Sequence, residues 1–142
     1  MTPLLWSFSA GEECFKKLLE NGADPNVVVT SHFGVPQAIL PGVSVTHMAA
    51  GTNFPNYFKL VMEHGGDPNL KNPNLLEQTP IFTTISFRKM ENVKLLIEKG
   101  ANLNHDIGYT PIISAAMENK YDIVLLLLEE GADYKHYRTK AN

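Results

Sequence analysis

Five histidines, His32, His47, His64, His105 and His136, are the residues best suited to acid–base or metal chemistry near neutral pH. Either use requires a partner at short, defined spacing, and no two of them stand at metal-ligand spacing beside a carboxylate. A nucleophile elbow, a phosphate-cradling loop and a paired-aspartate signature are all missing from the chain. No catalytic residue, cofactor or metal is therefore expected, and the chain reads as no enzyme. Cys14 is the single cysteine, which excludes an internal disulfide and a thiolate metal cage without fixing the compartment. The remaining oxygen donors, Asp24, Asn26, Asp67, Asn69, Asn102, Asn104 and Asp133, resemble calcium ligands only in type. No alternating acidic loop follows them, so their expected work is to cap turns by binding backbone groups.

Those acids and amides sit in a phrase that recurs. Gly22-Ala23-Asp24-Pro25-Asn26 returns as Gly65-Gly66-Asp67-Pro68-Asn69, as Gly100-Ala101-Asn102-Leu103-Asn104 and as Gly131-Ala132-Asp133. The glycines are 43, 35 and 31 residues apart, and each closes an apolar, charge-edged run with helical spacing. A second marker keeps the same phase about 20 residues ahead of each glycine: Thr2-Pro3-Leu4, Ser44-Val45-Thr46-His47, Thr79-Pro80-Ile81 and Thr110-Pro111-Ile112. Threonine or serine can cap a helix there, and proline suits its first turn. In the third unit this predicts a helix from Thr79 to about Phe87, a connection at Arg88, Lys89 and Met90, and a second helix from about Glu91 to Lys99 with Val93, Leu96 and Ile97 on one buried stripe. The fourth unit repeats this with Thr110 to Met117 and Tyr121 to Glu130, and Ser44 to Gly51 makes the first helix of the second unit.

Two markers in this order resemble the ankyrin repeat, whose signature is TPLHxAA, two helices, then a Gly-Ala-Asp-x-Asn turn. The resemblance covers nearly all of the chain. It implies an all-α solenoid of about four helix-turn-helix units with β-hairpin or loop fingers. The whole of 1–142 is then one repeat domain, with units at about 1–30, 43–73, 78–106 and 109–137 and a long finger at 27–43. That finger is rich in β-branched residues and broken by Gly34, Pro36, Pro41 and Gly42, which suits an extended or bent loop. His47 falls on the motif's histidine, so the resemblance implies a place in a hydrogen-bond network between units. Because Met1-Thr2-Pro3 begins at the first turn of a unit, a native chain is expected to begin earlier. A leader removed upstream would make the protein periplasmic, and otherwise it is expected in the cytoplasm.

Net charge is −3, which provides no basic field for nucleic acid or an acidic membrane surface. The longest apolar run, Ile123 to Leu128, is far short of the roughly 20 residues that span a bilayer. The chain is expected to be soluble and, when unbound, a monomer.

What remains is a binding surface. In ankyrin arrays the finger tips and the last residues of each first helix line the concave face. By register these are Ser9 and Ala10, Gly51 and Thr52, Ser86 and Phe87, and Met117 and Glu118, with finger positions Val43, Leu75, Leu76, Gln78, Asp106, Ile107 and Tyr109. Phe87, Met117, Leu75, Leu76, Ile107 and Tyr109 are expected to form one exposed apolar band, the usual mark of a protein interface, the alternative being that neighbouring fingers pack these side chains on one another. Phe87 and Tyr109 are its expected anchors, Glu118 and Asp106 its rim acids, and His32 and Phe33 at the long finger's tip the next contacts. Leu125 stands where Lys16, Lys59 and Lys94 stand in the other units, which predicts contact with the tail from Tyr134 to Asn142, with dimerisation through that side as the alternative.

The resemblance extends to small bacterial ankyrin proteins, some of which are encoded beside type VI secretion effectors as immunity proteins. It implies a protein partner, in that narrower form a secreted antibacterial effector such as a lipase, occluded sterically. A general adaptor and a regulatory fragment of a larger enzyme are the alternatives.

Overall fold

The computed structural model describes residues 2–28, 42–53 and 55–135. Its helices come in pairs: α1 (Pro3–Ala10) with α2 (Glu12–Glu20), α3 (Val45–Ala50) with α4 (Pro55–Glu63), α5 (Pro80–Ser86) with α6 (Met90–Glu98), and α7 (Pro111–Met117) with α8 (Tyr121–Glu129). Each helix packs on its partner, while α3, α5 and α7 stack in one layer and α2, α4 and α6 in another. The expected all-α repeat stack is the observed one. Among the described residues the fingers hold no strand, only the isolated bridges Val28–Ser44 and Asn72–Gln78. No helix there is long and apolar enough to cross a membrane.

Local signals explain most boundaries. Thr2 Oγ1 accepts from Leu5 N at 3.3 Å and Ser44 Oγ accepts from His47 N at 3.1 Å, so both cap their helices. Thr79 and Thr110 occupy the same position without a side-chain cap bond, contrary to expectation. At Thr79 the turn closes through backbone instead, Phe82 N donating to Thr79 O at 3.1 Å, and the buried Thr110 Oγ1 has no partner. Met90, expected in a connection, is the first residue of α6. The chain turns earlier than expected because Arg88 takes a left-handed φ of 54° and Lys89 N closes onto Thr84 O at 2.8 Å. The glycines close the second helices as expected: Gly100 has φ 84°, and the following Ala101 N reaches Leu96 O at 2.9 Å.

The buried side chains run the length of the stack. Phe15, Phe58, Val61, Phe82, Ile85, Val93, Leu96, Ile123 and Leu127 are fully buried, with at least one from every pair, so each joint is sealed by its neighbours. In the first joint the rings of Phe8, Phe15 and Tyr57 meet at centroid distances of 4.8–5.1 Å.

The repeated turns add a polar ladder. Within a turn the acid or amide caps the chain, as where Asp24 Oδ1 accepts from Asn26 N at 2.9 Å and Asp67 Oδ1 from Asn69 N at 2.8 Å. Between turns the asparagine crosses to the next unit: Asn26 Oδ1 accepts from Asp67 N (2.8 Å), Asn69 Oδ1 from Asn102 N (2.7 Å) and Asn104 Oδ1 from Asp133 N (2.8 Å). The backbone-capping role expected of these residues is therefore the observed one, and it also fixes the register between neighbours.

Candidate interaction surface

The finger between the second and third pairs is a tight loop. Asn72 N donates to Gln78 O and Gln78 N to Leu75 O, each at 2.8 Å, while the buried Asn72 Oδ1 accepts from Asn74 N at 3.0 Å. Closing it forces Leu76 and Glu77 into the left-handed region, with φ of 51° and 58°. Such a conformation costs a non-glycine residue on the order of 1 kcal/mol or more. The strained pair holds Leu76 67% exposed at the tip, next to the partly exposed Leu75.

Gln78 O also lies 3.2 Å from His47 Nε2, while His47 Nδ1 is 2.9 Å from Ser44 Oγ. His47 thus ties the second unit to the third, the role its motif position implied. Burial pushes its pKa below the ordinary value of 6.5, partly countered by the backbone carbonyls around it and by Asp67.

Between these elements lies a groove of about 380 Å3. Its walls are Leu75 and Gln78 from the finger, Met48, Gly51 and Thr52 from the end of α3, and Thr83, Ser86 and Phe87 from the end of α5. Phe87 is 62% exposed there although it is a large apolar ring. The groove therefore unites seven of the positions placed by register, Val43, Gly51, Thr52, Leu75, Gln78, Ser86 and Phe87. Met48, Thr83 and Asn72 were not foreseen. Met48 fills the variable place of TPLHxAA, a signal that was available in the sequence, whereas Asn72 is found only through the finger's backbone geometry.

The remaining expected contacts divide. Met117 is 68% exposed, and Glu118 is exposed at the same helix end with Oε1 accepting from Ser86 Oγ at 3.3 Å. Asp106 is exposed, its Oδ1 accepting from Gly108 N. Tyr109 and Ile107, expected on the open face, are instead half-buried against the core. The Tyr109 ring stands edge-on to Phe82 at 5.9 Å, and His105 meets the same ring at 6.4 Å. Phe82 occupies the place that His47 has in its unit, and a ring there reaches no carbonyl. It is covered instead by aromatic side chains of the next finger, which turns Tyr109 inward. The single apolar band expected from the sequence is accordingly reduced to four exposed members, Leu75, Leu76, Phe87 and Met117. His32 and Phe33 lie outside the described residues.

Leu125 is part-exposed on α8. Tyr134 lines a separate cleft with Ile113, Ala116, Val124 and Leu128, and Leu125 is not among its walls. The tail beyond Lys135 lies outside the described residues. Among those described, no cluster of three or more His, Cys, Asp or Glu is placed to hold a metal.

A family model of ankyrin repeats matches residues 46–138 in three copies. A comparison with characterised proteins found no match.

Proposed function

Because the chain belongs to the ankyrin repeat family, whose repeats generally serve as protein–protein interaction modules, we propose that it binds a folded protein through its fingers and first-helix ends and catalyses no reaction. The observation that supports this reading is the set of large apolar side chains left in solvent where fingers and helix ends meet, Phe87, Leu75, Leu76 and Met117. A monomer that maintains strain at Leu76 and Glu77 to keep a leucine at a loop tip has a use for that leucine outside its own core.

More narrowly, the partner is a secreted antibacterial effector, and the protein is its bacterial immunity factor. It acts as a monomer that covers the effector's active-site mouth, with Glu118 and Asp106 setting orientation at the rim. Protection of this kind needs an affinity of nanomolar or better, about −12 kcal/mol, and so an interface of standard size or larger. A general adaptor shares the binding surface and differs in leaving the partner active. The discriminating experiment recovers the partner on the immobilised protein from the source organism, identifies it by mass spectrometry, and assays its activity against added protein. Stoichiometric loss of the partner's activity supports the immunity reading. Undiminished activity in a tight complex leaves the adaptor and rejects inhibition.

A further inference from the structure

We propose that the groove between the second and third units is a socket for one large, uncharged, apolar side chain of the protein partner, and that Gly51 is glycine so that the Phe87 ring can form its wall. The proposal rests on the concave-surface reading above and specifies the chemistry of its central contact.

The backbone gives no reason for a glycine at Gly51. Its φ is −100°, a value open to any residue, and the equivalent positions by register are Ser9, Ser86 and Met117. Space supplies the reason. A Cβ on Gly51 would lie 3.0 Å from Phe87 Cδ2, 3.3 Å from Phe87 Cε2 and 3.1 Å from Thr83 Cγ2. The Cδ2–Cε2 side of the ring borders the place of the missing side chain, and the residue as a whole is 62% exposed. A Cβ at Gly51 would require the Phe87 ring and the Thr83 methyl to give way by a few tenths of an ångström, which shifts the ring within the groove it lines.

Size and charge define the guest. A volume of about 380 Å3 is at the lower end of binding cavities, room for a side chain and not for a helix or a strand. Val43, Met48 and Leu75 share the apolar lining with Phe87, and the polar groups are the hydroxyls of Thr52, Thr83 and Ser86, the amides of Asn72 and Gln78, and the His47 ring, which burial keeps toward its neutral form. No Asp, Glu, Lys or Arg lines it. A charged guest would be desolvated with no opposite charge to meet it, whereas an indole, a phenyl ring or a leucine would cover Phe87 and leave the hydroxyls at the rim. Of the charges around it, Arg88 pairs with Asp122 at 3.5 Å, Lys71 with Glu77 at 3.7 Å, and Glu118 accepts from the Ser86 hydroxyl.

The test uses the full chain and two small compounds, N-acetyltryptophanamide and N-acetyllysinamide, titrated while the methyl signals of Met48, Leu75 and Thr83 are followed by NMR. The tryptophan compound should give saturable shifts at those methyls with a dissociation constant of about a millimolar, as its few atoms allow, and the lysine compound none. Gly51→Ala should weaken the tryptophan compound by about fivefold or more. Leu75→Glu, a change at an exposed finger position, should do the same through the charge it brings and serves if Gly51→Ala unfolds. Adding Phe87→Ala to Gly51→Ala should relieve the clash, so that the double variant is more stable relative to Phe87→Ala than Gly51→Ala is relative to the parent. Equal shifts with both compounds, shifts away from the groove, or unchanged binding in Gly51→Ala and Leu75→Glu would overturn the socket. If the captured partner still loses affinity on Phe87→Ala while the tryptophan compound fails to bind, the socket falls and the concave-surface reading stands. The reverse pattern, in which the tryptophan compound binds while the captured partner is indifferent to Phe87→Ala, leaves a groove that the partner does not use and overturns both.

Discussion

At the scale of a residue, His47 carries the most physical consequence. Its Nε2 faces the Gln78 carbonyl, which can only accept, so the proton sits on Nε2 and Nδ1 accepts from the Ser44 hydroxyl. A cationic ring would donate from both nitrogens, so the Ser44 hydroxyl would have to accept from Nδ1 and turn its own proton elsewhere, while burial disfavours the charge itself. The folded-state pKa is depressed below 6.5, so the unfolded chain takes up the proton first as pH falls. The stability that the neutral ring contributes is present above about 6.5 and is lost below it. Urea unfolding between about pH 7.5 and 5.5 should show stability declining toward acid, and His47→Gln should remove most of that slope. An equal slope in the variant would assign it to other groups. The role of His47 was legible because a motif fixes it. The inward turn of Tyr109 was not, since it follows from Phe82 standing where that motif has a histidine, and a register argument places a backbone position without saying which way its ring packs.

At the scale of an element, the repeat forgives variation only when neighbours vary together. Gly66 stands where the other turns have Ala23, Ala101 and Ala132. A Cβ on Gly66 would lie 2.5 Å from Val61 Cγ1 and 2.9 Å from Val61 O, and Val61 in turn replaces the leucine found at Leu18, Leu96 and Leu127. The β-branched side chain fills the space that alanine uses in the other units. Gly66→Ala should therefore destabilise by about 1–3 kcal/mol although it restores the consensus, and Val61→Leu with Gly66→Ala should recover part of the loss. Additive costs in urea melts of the three variants would contradict this pairing. For comparison, Leu96→Ala in the buried centre should cost about 2–4 kcal/mol. The helices themselves were readable because Thr-Pro starts and glycine stops bracket each one. The left-handed Arg88 and Asn119, which end the first helices of the third and fourth units, were not, since neither residue type announces a positive φ as glycine does.

At the scale of the whole molecule, stability spreads through neighbouring joints while binding is asked of one small region. Layered helices, sealed joints and the asparagine ladder make a rigid support that holds the finger of Leu75 and Leu76 against the end of α5. The solenoid was legible from two motifs in phase. The groove was not, because it exists only when Met48, Leu75 and Phe87, from three separate segments, are brought together, and nothing in their spacing marks them as a set. A surface of this kind, uncharged at its centre, should hold its partner through changes of salt that alter the rate of encounter. The most direct test of the central claim is the affinity of the captured partner for Phe87→Ala, measured beside the parent by calorimetry with the melting midpoint as control. Phe87 packs outside the buried joints, so the melt should be nearly unchanged while affinity falls by about a hundredfold, the loss expected for an aromatic anchor at an interface centre. An affinity equal to the parent's, in a variant that melts with it, would contradict the account.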